Sequence, residues 1–274
     1  MLTQEKIEKY LNRKTELTVY LDSVASTNLI ATQMVKDGTP DGTVVIADCQ
    51  TNGLGRLGRD FYSPPGMGIY LSYIKEIPKD TENLGLLTSL AGLAICSAIT
   101  DCCGIPPKIK WPNDVIINGK KVGGVLTKII TDSATNKMTH AIIGIGVNVN
   151  QCEGDFPEEI LYKAGSIRAA FGKRVQRGPL CAEIINNLDR LLLEEDALCA
   201  PAIVYVKNLR AMSCTIGKKI TIASSDGKEI AKALDIAPDG GLVVEISSGV
   251  KVIRSGEIEE CGEWSVVSSY GKSE

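Results

Sequence analysis

The sequence contains a single histidine, His140, among 274 residues. This excludes mechanisms that need two imidazoles and most zinc sites with several histidine ligands. The nine cysteines include no pair with Cys-x-x-Cys spacing, so neither a metal knuckle nor a disulfide framework is indicated. We expect His140 and the cysteines to be structural, with reduced thiols in a cytoplasmic protein.

Long apolar runs and an excess of positive charge are also missing. The best candidate for a membrane span, residues 84–99, is interrupted by Gly, Thr and Ser. The N-terminus mixes acidic and basic residues where a signal peptide would need an apolar core. The net charge is -3, whereas proteins that bind nucleic acid normally carry a basic stripe. We therefore expect neither a membrane nor DNA as a partner.

The composition is that of a globular protein, with 44% hydrophobic and 23% charged residues. Apolar β-branched segments and segments of helical periodicity alternate up to about residue 210, and residues 83–100 have the pattern of the main core helix. From about residue 212, four or five short β-rich pieces separated by tight turns predict a small barrel. The predicted domains are residues 1–210, which begin with a short helix within residues 1–15, and residues 211–274.

Residues 50–68 contain five glycines and two prolines, which predicts a long loop. Within it lies Gly53-Leu54-Gly55-Arg56-Leu57-Gly58-Arg59, here named the glycine-arginine loop (residues 53–59). Its glycines allow the backbone to approach an anion closely, and its arginines suit phosphate or carboxylate. The segment matches neither a P-loop nor a dinucleotide fingerprint. Taken alone, it is equally well interpreted as a flexible surface loop with two solvated arginines.

A second segment, Lys110-Trp111-Pro112-Asn113-Asp114, precedes an Asn118-Gly119 turn that is typical of a type I′ hairpin. The hairpin brings Lys121 back toward this run. These groups could hold a magnesium-bound polyphosphate, with Asp114 as an oxygen ligand and Lys121 neutralising developing charge. The alternative is a strand end with solvated side chains, and we expect Trp111 to pack in the core.

A third segment, residues 143–148, ends a strand predicted for residues 138–148 and places Gly144 and Gly146 on one face of it. Two such glycines either mark a β-bulge or leave room for a ligand ring against the backbone.

Together these segments resemble the biotin-protein ligases. Ser26-Thr27-Asn28, Gln50, the glycine-arginine loop, the Lys-Trp-Pro-Asn-Asp run, Lys121-x-x-Gly124 and Gly144-x-Gly146-x-Asn148 occur in that family's order. The resemblance covers about residues 26–150, and the β-rich segment after residue 212 is similar to the family's SH3-like barrel. It implies an α+β fold, in which a catalytic domain with a mixed β-sheet flanked by helices is followed by a small SH3-like β-barrel.

The family resemblance also implies a reaction. Biotin and MgATP give biotinyl-5′-adenylate, and biotin then passes to a lysine of a biotin carboxyl carrier protein of a carboxylase. The resemblance therefore implies an ATP-dependent carbon-nitrogen ligase, a biotin-[acetyl-CoA-carboxylase] ligase. About 15 residues precede the first predicted strand, too few for the winged-helix domain of the family's repressors, so we expect the monofunctional type.

The resemblance assigns roles to individual residues. Lys121 and Arg56 are implied to be catalytic by engaging the biotin carboxylate and the phosphate. The implied biotin-binding residues are Ser26, Thr27, Asn28, Gln50, Gly53, Arg56, Lys121, Gly124 and Gly144. The implied ATP-binding and phosphate-binding residues are Arg56, Arg59, Phe61, Asn113, Asp114 and Asn148, with Asp114 as the Mg²⁺ ligand. Phe61 is implied to pack on adenine, and Tyr62 is a weaker candidate for that contact.

Leu54 stands where the family commonly has an arginine. Our hypothesis is that this removes either a phosphate contact or a step of loop ordering, and that it either weakens retention of the adenylate or changes the set of loop contacts. It also motivates an alternative, a regulatory module that binds biotin or its adenylate without turnover. A lipoate-type ligase of the same fold is a further alternative, although the loop and the Lys-Trp-Pro-Asn-Asp run favour biotin. The sequence leaves room for a homodimer through exposed sheet edges but does not decide it.

Overall fold

Two β-sheets organise the protein, for which a computed structural model describes residues 2–260 except residues 14, 80, 82, 225 and 226. In these described residues the larger sheet has seven strands: β1 (Thr18–Val24), β2 (Val44–Gln50), β3 (Gly68–Glu76), β4 (Lys108–Lys110), β5 (Asp114–Ile117), β6 (Lys120–Thr131) and β7 (Met138–Asn148). Their order is β1-β2-β3-β7-β6-β5-β4. β1 and β2 are parallel and the other neighbours are antiparallel, so the implied mixed sheet is confirmed.

Helices flank this sheet, as expected. The described residues form seven of them: α1 (Gln4–Glu8), α2 (Thr27–Lys36), α3 (Leu87–Cys103), α4 (Glu158–Leu161), α5 (Ile167–Phe171), α6 (Arg177–Asp189) and α7 (Ile203–Met212). The first helix is short, as predicted within residues 1–15, and the Thr3 side chain caps its N-terminus. After α6, the chain continues through residue 194 as a wider π-helical turn.

Strand alternation gives the sheet two different faces. One face packs against α3 and α6 and forms the main core. On the other face, Val45, Ile74 and Ile142 pack with Ala31 of α2 in a smaller cluster. The long loop that follows β2 lies beside α2 on this second face, because the Phe61 ring contacts the backbone of β7 there.

The smaller sheet is antiparallel, with strands β8 (Lys219–Ser224), β9 (Gly227–Ile236), β10 (Leu242–Ile246), β11 (Gly249–Ile253) and β12 (Glu257–Glu260). Their order is β11-β10-β9-β8-β12, which confirms a small C-terminal β-domain. Trp111 is buried and its indole Nε1 donates to the carbonyl of Gly240 at 3.0 Å, so it packs where the two sheets meet. The domain boundary after residue 210 stays a prediction, and residues 261–274, including Cys261, lie outside the described residues.

Two further expectations concern the interior. Residues 84–103 form the one helical segment in the described part of the chain that is long and apolar enough to cross a membrane, and most of it is buried in the core. Eight of the cysteines lie in the described part, and no disulfide joins any of them. Burial raises the pKa of Cys181 to about 12, which suits a thiol that serves as core packing.

Candidate active site

On the second face of the sheet, beside α2, glycines of neighbouring strands lie next to each other. Tyr70 pairs with Gly146, Gly146 with Gly124, and Gly124 with Asp114. Gly144 precedes Gly146 on the same face of β7, and we name Gly144, Gly146 and Gly124 the glycine row. The pairing of β7 with both neighbours is regular at these glycines, so the bulge interpretation is wrong. The side chains of Asn28 and Phe61 lie against these glycines, and the room for a ligand ring stays a prediction.

Polar side chains gather where α2 begins. The amide and the hydroxyl of Thr27 both donate to Gln50 Oε1, at 2.9 and 3.1 Å. The fully buried Ser72 hydroxyl lies 2.7 Å from Thr27 Oγ1 and 2.5 Å from Asn28 Oδ1. Gly144 makes room for this group, because an added Cβ would lie 2.4 Å from Asn28 Oδ1.

We name Ser26, Thr27, Asn28, Gln50, Ser72 and Gly144 the polar pocket. Ser26 is the N-cap residue of α2, it is buried, and its hydroxyl makes no capping bond to the helix. At the start of the helix, the backbone N–H of Thr27 donates to Gln50 Oε1, and those of Leu29 and Ile30 donate to the Ser26 carbonyl. Such a set suits a compact, uncharged group that has both a carbonyl and N–H donors.

Gln50 ties the polar pocket to the base of the long loop. Its Nε2 donates to Ser63 Oγ at 3.1 Å, and that hydroxyl donates to the carbonyl of Phe61 at 2.8 Å. Gly53 touches all three residues, since an added Cβ would lie 2.6 Å from the Phe61 carbonyl oxygen and 2.8 Å from Ser63 Oγ. The structure therefore places Gly53 at the neck of the loop.

The Phe61 ring covers Gly146, where an added Cβ would lie 2.4 Å from the ring. It meets the Tyr70 ring edge-on, with centroids 6.4 Å apart. Burial raises the pKa of the Tyr70 phenol, so this ring stays neutral beside Phe61. Tyr62 instead faces Phe156, with ring centroids 6.5 Å apart. Of the two predicted aromatics, Phe61 is the one that lies on the glycine row.

Opposite charges meet at the far end of the row. Lys121 Nζ lies 2.6 Å from Asp114 Oδ1. The lysine side chain reaches this position by passing over Gly124, whose added Cβ would lie 3.1 Å from Lys121 Cε. Arg56 Nη1 donates to Asn113 Oδ1 at 3.1 Å, so four of the predicted polar residues form one cluster.

The arginines of the glycine-arginine loop also reach the smaller sheet. Arg56 Nη2 donates to the Gly256 carbonyl at 2.8 Å, and Arg59 pairs with Glu257 at 2.6 Å. Leu54 is partly exposed and bridges to Asp60 across the base of the loop. The loop is therefore held at both ends, and the two cations face the second sheet.

Asn148 is separated from this cluster by its own bonds. It is 7% exposed, its Nδ2 donates to the Gly165 carbonyl at 3.0 Å, and its Oδ1 accepts from Gln151 at 3.2 Å. A nucleotide would have to displace one of these bonds, so the contact between Asn148 and ATP stays a prediction that the local geometry does not favour.

Some residues of the site were missing from the sequence prediction. A polar residue inside the apolar strand β3 was a usable signal for Ser72. Gly146 belonged to a recognised motif but was not assigned a role. Ser63 and Glu257 carried no such signal, because their importance depends on contacts with distant parts of the chain.

A metal ion would find few ligands here. Within the described residues, no group of three or more His, Cys, Asp or Glu side chains comes together. Asp114 Oδ1 is paired with Lys121 and Asn113 Oδ1 accepts from Arg56, so the second carboxylate oxygen of Asp114, Oδ2, is the atom this cluster would offer to a metal ion. This fits Mg²⁺, which takes one or two carboxylate oxygens and completes its shell with water and substrate phosphates.

The fold agrees with comparisons to known proteins. Residues 20–148 match the model described as the biotin/lipoate A/B protein ligase family, and residues 215–259 match the biotin protein ligase C terminal domain. The bifunctional ligase/repressor BirA of Bacillus subtilis (strain 168) is 34% identical over 242 residues, which are 88% of this chain and 73% of the relative. The chain belongs to the biotin protein ligase family.

Other members of the family extend the comparison. Biotin--[acetyl-CoA-carboxylase] ligase of Mycobacterium tuberculosis is 29% identical over 80% of this chain and 79% of its own length. Among solved structures, biotin protein ligase from Aquifex aeolicus in complex with biotin and ATP superposes with a TM-score of 0.75 at 30% identity, covering 89% of this chain and 97% of that one. This chain thus has the fold of that biotin protein ligase.

Proposed function

We propose that this biotin protein ligase activates biotin with ATP and transfers it to a lysine of a biotin carboxyl carrier protein. The observation that carries the proposal is the glycine row, which joins the uncharged polar pocket at one end to the Lys121, Asp114 and Arg56 cluster at the other. Biotin has this same polarity, with an uncharged ureido ring at one end and a carboxylate at the other.

In the first step, a biotin carboxylate oxygen bonds to the α-phosphorus of ATP while the bond to the pyrophosphate oxygen breaks. Both reactants are anionic, so the main task of the protein is to bring them together. Lys121 and Arg56 neutralise the carboxylate and the α-phosphate in this arrangement. When bound, Mg²⁺ would offset phosphate charge from the side of Asp114 and Asn113.

In the second step, the amine of the carrier lysine attacks the acyl carbon of the adenylate, and AMP leaves with the bonding electron pair. Water would destroy the adenylate by the same route. The Phe61 ring of the long loop covers Gly146, which supports a role for this loop in shielding the intermediate.

The experiment is a biotinylation assay with an apo carrier domain, biotin and MgATP. Its two readouts are the release of pyrophosphate and the mass of the carrier. We expect the carrier to gain the mass of one biotin, and we expect Lys121→Ala to lose at least a hundredfold in rate because a charge-stabilising group is removed. Lys128→Ala is the matched control, since Lys128 lies exposed on the same strand. Equal rates for Lys121→Ala and the control would contradict the assigned role.

The same assay tests the two alternatives. Biotin binding without pyrophosphate release would favour the regulatory module. Labelling with lipoate rather than biotin would favour the lipoate-type ligase, although the match to the biotin protein ligase C-terminal domain supports biotin.

The remaining partner predictions stand as part of this proposal. We expect a cytoplasmic enzyme that binds neither DNA nor membranes. A homodimer through an exposed sheet edge stays a prediction, and sedimentation at several concentrations would detect it.

A further inference from the structure

Ser63 joins two parts of the site that the sequence treats as separate. Its hydroxyl accepts a hydrogen bond from Gln50 Nε2 and donates one to the carbonyl of Phe61. The backbone carbonyl of Ser63 accepts from the backbone N–H of Gln50 at 3.2 Å. Ser63 therefore touches a residue of the polar pocket on one side and the residue that covers the glycine row on the other.

Ser63 and Thr27 together determine which way the Gln50 side chain points. An amide has an acceptor end and a donor end. Because Ser63 must donate its single proton to the Phe61 carbonyl, it can only accept from Gln50, and the donor end Nε2 faces it. The acceptor end Oε1 then faces Thr27, whose amide and hydroxyl both donate to it.

The surroundings leave this serine little freedom. Ser63 is 5% exposed, and Gly53 packs against its hydroxyl so closely that even a Cβ there would collide. A buried hydroxyl that both accepts and donates at fixed distances holds its two partners in one arrangement. Displacing either Gln50 or Phe61 breaks one of these bonds.

We propose that Ser63 is a positioning residue that couples biotin binding in the polar pocket to the placement of Phe61 over the glycine row. The inference rests on the proposed function. Biotin bound against Thr27 and Gln50 stabilises the Gln50 orientation, which strengthens the Ser63 bond and with it the position of Phe61. Biotin and ATP then bind more tightly together than either does alone.

The test compares Ser63→Ala with Ser63→Thr, which keeps the hydroxyl. Ser166→Ala is the matched control, because Ser166 is also buried, donates to a carbonyl (Gln151) at 2.7 Å and accepts from an amide (Ala169) at 3.1 Å. The control loses the same number of bonds at a position that touches neither the polar pocket nor Phe61.

Two measurements are made on each protein: biotin-dependent ATP-pyrophosphate exchange, and the rate of tryptic cleavage after the exposed Arg59 without ligands. For Ser63→Ala we expect the KM for ATP and the cleavage rate each to rise about fivefold, with kcat changing less than about twofold, as for a lost positioning bond. Ser63→Thr should restore both values, and Ser166→Ala should resemble the wild type in both.

The coupling role is overturned if Ser63→Ala keeps the wild-type cleavage rate or the wild-type KM for ATP, or if Ser166→Ala changes both values equally. A wild-type protein without any exchange activity would instead contradict the proposed function. In that case the cleavage rates alone decide whether Ser63 holds the loop.

Discussion

At the scale of single residues, the site depends on glycines, because the lack of a side chain at these positions leaves room for other groups. Gly144 leaves room for the Asn28 amide, Gly146 for the Phe61 ring, and Gly124 for the passing Lys121 side chain. Each glycine lets a functional group lie directly on the backbone of the sheet. The added methyl of an alanine would therefore move a functional group rather than simply fill a space.

Gly146→Ala is the sharpest substitution of this kind. We expect it to push the Phe61 ring off β7 and to raise the KM for ATP about tenfold, because small displacements at a reacting site are costly. The Kd for biotin, measured by calorimetry without ATP, should rise by less than the KM for ATP, because the polar pocket lies next to Gly144 and is linked to Phe61 only through Ser63. Gly154→Ala is the control, because an added Cβ there meets no atom within 4 Å. An unchanged KM would mean that Phe61 does not contact ATP.

Leu54 tests the departure from the family's usual loop. We expect Leu54→Arg to slow adenylate release and tighten biotin binding about two- to fivefold, because a partly exposed arginine adds modest electrostatic attraction. Leu57→Arg places the same charge at the exposed tip of the loop and should have a smaller effect. Unchanged biotin affinity and adenylate release in Leu54→Arg would contradict the hypothesis.

At the scale of elements, long periodic segments were predictable and short ones were not. β7 has the bounds that its apolar pattern suggested, and α3 follows its helical periodicity. By contrast β4, α4 and α5 have three to five residues each, too few to establish a period. Such elements are stabilised by what they pack against, which a local pattern does not contain.

The β5–β6 hairpin shows how local chemistry can position a site residue. Asn118 and Gly119 have φ values of 49° and 75°, as the predicted type I′ turn requires, and Lys121 follows two residues later. We expect Gly119→Ala to lower the free energy of unfolding by about 1 kcal/mol, because alanine disfavours positive φ. Urea denaturation measures this, with Gly154→Ala as the control. A loss equal to that of the control would show that the turn tolerates a side chain.

At the scale of the whole molecule, the site is completed by contacts between distant segments. Arg59 and Glu257 are 198 positions apart, and Arg56 bonds the Gly256 carbonyl. The sequence motifs indicated which residues take part in the chemistry, but not that the second sheet would face the glycine-arginine loop. That arrangement follows from how Trp111 and its neighbours join the two sheets.

A buried polar cluster also ties the N-terminal segment to the core. Asp189 Oδ1 on α6 accepts from the Tyr73 hydroxyl at 2.8 Å and from Arg13 at 3.1 Å. Burial raises the pKa of Asp189, and this outweighs the lowering by Arg13 and by the Tyr73 bond. The folded state therefore holds a proton on Asp189 at pH values where the unfolded chain has released it.

This difference sets the sign of a pH dependence. Because the pKa of Asp189 is raised on folding, its contribution to stability is present below the unfolded pKa of about 4 and is lost as pH rises through the folded value. We expect the difference in unfolding free energy between the wild type and Asp189→Asn to be larger at pH 4.5 than at pH 7, since asparagine does not titrate. Urea denaturation at both pH values measures it. A difference that instead shrinks at pH 4.5 would mean that the ion pair with Arg13 outweighs burial, and that the cluster stabilises the fold through charge rather than through its hydrogen bonds.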